Sequence, residues 1–159
     1  MAEHQRQSAP QPRLAGARFL VVEARYYEAI GAFLLAGAAA AFEAAGASYE
    51  RIAVPGALEI PASIAIALDA AAAAGRVYDG VVALGCVIRG DTPHFEYVAG
   101  ECARGLNLVA LETGVPVIFG VLTVETVDQA LERAATTEAN KGGESMDTAL
   151  EMADLLARL

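Results

Sequence analysis

Phe19-Leu20-Val21-Val22 is an unbroken apolar run. A run without polar alternation reads as a strand buried on both faces, the pattern of a sheet sandwiched between helices. The residues after it read as a helix from about Tyr27 to Ala45, with Gly46 placed to cap its C-terminus. Tyr49 to Val54 reads as a second strand, and Pro55-Gly56 breaks it. A helix is expected from about Leu58 to Ala74, with Pro61 tolerated in its first turn. Tyr78 to Ile88 holds a third strand, centred on Val81-Val82-Ala83-Leu84. The next helix runs from about Phe95 to Thr113, with Val98, Cys102, Leu106 and Val109 at helical spacing. Pro116 to Leu122 is the fourth strand. Thr126 with Gln129 three residues later is a capping-box pattern that opens a short helix to about Ala134. A polar loop, Ala135 to Gly143, leads to a last helix with Met146, Leu150, Ala153 and Leu156 on one face.

Strand and helix alternate throughout, which implies βαβ units and a parallel sheet. The expected fold is a three-layer αβα sandwich over residues 16–159. Residues 1–15 are rich in Gln, Pro, Ser and Arg, and read as a flexible tail.

The 159 residues suffice for one domain. Because aromatic residues make up only 6% of the chain and Trp is absent, the core is expected to be aliphatic. The net charge of -9 and the lack of a Lys/Arg run argue against a nucleic-acid surface and against an anionic membrane. One or two well-placed Arg residues and a helix N-terminus still suit a small phosphorylated substrate. Cys86 and Cys102 lie in apolar stretches and read as buried thiols of a reducing compartment. The N-terminus has no apolar signal region. The alanine-rich run from Ala29 to Ala45, flanked by Glu28 and Glu43 and interrupted by Gly31 and Gly37, reads as too short and weak to span a bilayer. A cytoplasmic protein is expected.

In open parallel sheets, ligands bind beyond the carboxyl ends of the strands. Strand one ends in Glu23-Ala24-Arg25-Tyr26-Tyr27. Its aromatics could stack on a planar heterocycle or simply cover the sheet edge, and both readings stand. Strand two ends in Val54-Pro55-Gly56-Ala57-Leu58-Glu59, where Glu59 in a helix first turn also suits the helix dipole. Strand three ends in Cys86-Val87-Ile88-Arg89-Gly90-Asp91-Thr92-Pro93-His94. Arg89, Thr92 and the backbone amides of this turn can bind an oxyanion. His94 sits at the edge of that site, and its intrinsic pKa suits proton transfer at neutral pH. Asp91 would repel an anion unless its side chain turns away. Two His, one of them in the tail, and two buried Cys make a poor metal set. Neither a P-loop, nor G-x-G-x-x-G after strand one, nor G-x-S-x-G occurs.

These residues, in order and spacing, resemble the lumazine synthase family. The resemblance rests on Val54 to Pro61, Ala83 to Val98, Pro116 to Thr123, Glu132-Arg133-Ala134 and Asn140-Lys141-Gly142. It implies a four-stranded parallel, flavodoxin-like sheet and a step of riboflavin synthesis. In that step 5-amino-6-(D-ribitylamino)uracil condenses with 3,4-dihydroxy-2-butanone 4-phosphate, giving 6,7-dimethyl-8-ribityllumazine, phosphate and water, with no cofactor and no metal. It implies that Tyr26 stacks on the pyrimidine, and that Ala57, Leu58 and Glu59 contact the pyrimidine and ribityl chain. Cys86, Val87 and Ile88 then hold the pyrimidine edge through backbone groups. Asp91 and Thr92 belong to the phosphate loop, and His94 is the proton shuttle. Phe119 and Arg133 serve the site of a neighbouring subunit, with Lys141 assisting. Sharing of this kind implies an inactive monomer, and the resemblance implies a homo-pentamer. The segment Ala134 to Lys141 carries no insertion, which suits a larger assembly, but it lacks the Gly- and Lys-bearing pattern of many capsid formers. The alternative is a catalytically weak paralogue that binds riboflavin or a lumazine, since an aromatic platform at Tyr26 serves binding as well as catalysis. A purely structural shell would have no use for His94, Arg133 and Glu59.

Overall fold

The computed structural model describes residues 14–159. The part of the expected tail at 1–13 lies outside the described residues, and Leu14 packs against the core. The elements, in chain order, are β1 (Arg18–Ala24), α1 (Glu28–Ala45), β2 (Ser48–Val54), a 3-10 turn (Ala57–Glu59), α2 (Ile60–Ala73), β3 (Gly80–Ile88), α3 (His94–Thr113), β4 (Val117–Val124), α4 (Val127–Ala134) and α5 (Lys141–Arg158). All strand pairings are parallel, in the order β2-β1-β3-β4.

The apolar run of β1 explains the layering. Side chains of a strand alternate between faces. Phe19 and Val21 join one core with Leu34 and Phe42 of α1, Ala130 of α4, and Met146 and Leu150 of α5. Leu20 and Val22 join the other with Ile60 and Ile64 of α2, and Cys102 and Leu106 of α3. Both faces of the sheet are therefore covered, as the sequence predicts for a three-layer sandwich.

By length and composition alone, α1 passes for a membrane-crossing helix, against the expectation drawn from its flanking Glu residues and internal glycines. In the fold its Ile30, Leu34, Ala38 and Phe42 are buried against the sheet and α5. It is a core helix made of small residues.

Two helix starts differ from expectation by two residues or more. The helix expected from Leu58 opens as a 3-10 turn, and the α-helix proper begins at Ile60. The last helix begins at Lys141, not beyond Gly143. Asn140 adopts the left-handed region (φ 46°), and its side chain accepts a hydrogen bond from the Gly143 amide at 3.3 Å. Gly142-Gly143 therefore lies inside a helical turn, although glycine pairs usually mark loops. A Cβ at position 142 would sit 2.0 Å from the Leu34 carbonyl oxygen, so α5 meets the α1 backbone where only glycine fits. On the outer face of α5, Leu156 is exposed, while Met146, Leu150 and Ala153 are buried as expected.

The sheet has a step at its carboxyl end. The pairing of β1 with β3 stops at Glu23 and Leu84, whereas β3 and β4 stay paired to Ile88 and Val124. From Gly85 to Ile88, the side of β3 that faces β1 has no strand partner.

Candidate active site

The step forms the floor of a cavity of about 460 Å³. Cys86, Val87 and Ile88 supply that floor. Tyr26 and Tyr27 enter from the end of β1, Gly56 to Glu59 from the turn after β2, and Gly90, Thr92, His94, Phe95 and Val98 from the loop and first turns of α3. The backbone closes this end firmly: the Arg25 amide donates to Val54 O (3.0 Å), and the Arg89 amide to Val124 O (2.9 Å).

The Tyr26 ring is 73% exposed, so one face is open to a ligand. Its ring centroid lies 4.9 Å from that of Tyr27, at 70°, an edge-to-face pair. Burial is the main cause that raises the Tyr27 phenol pKa, with Tyr26 and Cys86 adding to it. Gly56 and Glu59 are close: a Cβ at Gly56 would lie 3.0 Å from a Glu59 carboxylate oxygen. Burial pushes the Cys86 thiol up to about 11, so it is a neutral thiol at pH 7 and a poor nucleophile.

His94 is the first residue of α3 and is exposed. Its amide approaches Thr92 Oγ1 at 3.5 Å. The N-cap residue of α3, Pro93, makes no side-chain capping bond, and its carbonyl accepts from the Glu96 amide (3.2 Å). Asp91, one residue before Thr92, is exposed and does not line the cavity.

Arg89 departs from the reading as an oxyanion ligand. Its guanidinium pairs with Glu96 of α3 and with Glu125 beyond β4 (2.9 Å), and lies 4.3 Å from the centroid of the Phe95 ring. The two carboxylates already occupy it.

A second concavity, of about 490 Å³, runs along β4 from Val117 to Thr123 and is closed by Arg133, Lys141, Glu144, Ser145 and Thr148. It gathers Phe119, Arg133 and Lys141, and none of these lines the cavity that holds His94. Phe119 is 44% exposed. Among the described residues Arg133 donates to the Gln129 carbonyl at 3.3 Å, while Lys141 pairs with Glu144 at 2.5 Å. One half of the expected capping box is present, since Thr126 Oγ1 accepts from the Gln129 amide (3.2 Å); Gln129 Oε1 reaches back one residue further and accepts from the Glu125 amide (2.8 Å). It fixes the start of the helix that carries Arg133.

A sequence model of the 6,7-dimethyl-8-ribityllumazine synthase family matches residues 16–157. The chain belongs to the lumazine synthase family. Curated relatives agree. A 6,7-dimethyl-8-ribityllumazine synthase of Azorhizobium caulinodans is 56% identical over 151 residues, covering 95% of this chain and 93% of the relative. One of Methylobacterium radiotolerans is 57% identical, covering 94% and 91%. One of Nitrobacter hamburgensis is 53% identical, covering 92% and 90%.

Apart from Asp91, which lines neither concavity, the residues that the lumazine synthase resemblance singles out fall into two groups. Tyr26, Ala57, Leu58, Glu59, Cys86, Val87, Ile88, Thr92 and His94 meet in one cavity. Phe119, Arg133 and Lys141 meet in the other. Five residues that line the first cavity are not among these: Gly56 and Gly90, which belong to its turns, and Tyr27, Phe95 and Val98. Tyr27 reads in sequence as the twin of Tyr26, Phe95 as the start of a helix, and Val98 as one more core position. Only the cavity itself separates Val98 from Cys102 and Leu106, which share its helical spacing.

Proposed function

We propose that this chain condenses 5-amino-6-(D-ribitylamino)uracil with 3,4-dihydroxy-2-butanone 4-phosphate, giving 6,7-dimethyl-8-ribityllumazine, phosphate and water. The observation that carries this reading is the stepped floor at Gly85 to Ile88, joined to Tyr26, Glu59, Thr92 and His94 in one cavity. An unpaired strand side offers backbone donors and acceptors in one plane, which suits the edge of a pyrimidine. Tyr26 covers the ring face, and Ala57 to Glu59 border the ribityl chain. The phosphate of the second substrate lies against Thr92 and the amides that open α3, and Asp91 contributes its backbone there.

In the reaction the uracil amine attacks the ketone and loses water to give an imine. Phosphate then leaves to give an enol that tautomerises to a carbonyl; the ribityl-bearing nitrogen attacks that carbonyl, and loss of a second water closes the lumazine ring. Each step moves a proton, and His94 beside the phosphate loop takes and returns it. Holding both substrates in one cavity supplies much of the remaining acceleration. Relatives at 53% to 57% identity carry the synthase name, which favours the catalyst over a binding paralogue.

The working unit is a homo-pentamer, in which Phe119 and Arg133 of one copy complete the cavity of the next and Arg133 faces the phosphate. What supports this is their collection in a separate concavity, with Phe119 exposed and Arg133, among the described residues, bonded to the Gln129 carbonyl and to no carboxylate. The cytoplasm is its compartment, a reading that two buried, unbridged thiols support. The test is lumazine formation by the purified protein, followed by absorbance, with particle mass measured on the same sample. Rapid product formation by a particle of five copies or a multiple of five is expected. A yellow protein with bound flavin and no turnover would instead mark the binding paralogue.

A further inference from the structure

Arg89 remains unexplained by the reaction as described. It does not line the cavity, although its neighbours Ile88 and Gly90 do. Three groups converge on its guanidinium. Glu96 lies in the first turn of α3, Glu125 follows β4, and the Phe95 ring stacks beneath it at 4.3 Å. Phe95 and Glu96 are the two residues that follow His94, the first residue of α3. The pairs contribute little to stability, because the side chains are 37% exposed for Arg89, 54% for Glu96 and 59% for Glu125. Their geometry still restrains the helix start, since one planar group is held from two sides and from below. The Arg89 backbone adds to this, because its amide is bonded to Val124.

We propose that Arg89 is a positioning residue for His94: by tying the first turn of α3 to the end of β4, it fixes the imidazole against the phosphate loop. The inference rests on the shuttle role given to His94. The clamp also pairs two carboxylates beside a loop that must accept phosphate.

The test compares Arg89→Met, Arg89→Lys and Glu125→Gln in the wild-type protein, and Arg89→Met in a His94→Ala background. Turnover, KM for each substrate and thermal unfolding are read for all of them. Arg89→Met should lower kcat about tenfold, as a small misplacement of a catalytic group does, with KM for both substrates nearly unchanged. Arg89→Lys should recover part of the loss, and Glu125→Gln should lose less. In the His94→Ala background, Arg89→Met should change kcat by no more than about twofold, because a residue that acts through His94 has nothing left to act on. A full tenfold loss in that background, or a rise confined to KM for the phosphate substrate, overturns the proposal. If His94→Ala turns over normally, the shuttle reading fails instead. Amide hydrogen exchange at residues 94–97 then decides the clamp on its own. Faster exchange in Arg89→Met at unchanged thermal stability supports it, and unchanged exchange overturns it.

Discussion

The two concavities of this chain are similar in size and opposite in construction. The one at the ends of β1, β2 and β3 is built from strand termini, and its titratable group, His94, stands at a helix start. The one along β4 is built from the flank of an edge strand and two helices, and it holds two cations and an exposed ring. The first can orient a heterocycle and move protons. The second can hold an anion, yet within its own chain it faces no group that would use one. The difference teaches that the rule of searching beyond strand ends leads to the first concavity. The second, which the proposed function assigns to the cavity of a neighbouring copy, lies along the flank of β4.

The sharpest way to break the comparison is to disable each half separately. Arg133→Ala should reduce turnover roughly 1000-fold, as loss of a charge that stabilises the transition state does, while thermal unfolding stays unchanged. Unfolding together Arg133→Ala and His94→Ala proteins and refolding them as a mixture should restore activity, because some cavities then receive both intact halves. If the mixture stays as inactive as its parents, the two concavities do not complete one another. His94→Ala alone should slow turnover about 100-fold, and kinetics at several pH values should lose the limb that depends on the imidazole. Tyr26→Ala should weaken binding of the uracil about fivefold to tenfold through loss of stacking, with KM for the phosphate substrate unmoved and Tyr26→Phe near wild type. A change in the phosphate KM instead would put Tyr26 in the wrong half.

The smallest effect belongs to the buried thiols. Cys86 and Cys102 are both raised from about 9 to about 11 by burial. The folded state therefore keeps protons that the unfolded chain releases. This contribution is complete below pH 9 and is lost as pH rises through 11. Urea titrations should show stability declining over that window, with a shallower slope in Cys86→Ala. Alkylation of Cys86 at pH 7.5 should be slow in the folded protein, and rapid alkylation would contradict a desolvated cavity floor.

Much of the architecture was legible in the chain because its cause is local. Unbroken apolar runs at Phe19–Val22 and Val81–Leu84 required two covered faces, and the fold supplies two cores. The start of α5 was not legible. Gly142 and Gly143 break helices by propensity, and what keeps them helical is the Leu34 backbone, distant in sequence. Physical reading of the strand ends points to His94 and leaves Tyr26 and Glu59 open between ligand contact and a structural part, whereas the parts given to Phe119 and Arg133 come only from family resemblance. Arg89 was misread for a different reason. Beside a glycine turn it resembles an anion ligand, and one of the carboxylates that occupy it, Glu125, lies 36 residues away.

The closeness of α1 and α5 has a practical consequence for anyone redesigning the enzyme. Lys141 and position 142 are adjacent, but they respond to randomisation in opposite ways. Lys141 lines an open concavity, where its side chain pairs with Glu144 and can be exchanged without a clash. Position 142 touches a carbonyl with no room for a methyl group, so a library that varies both will return glycine at one and diversity at the other.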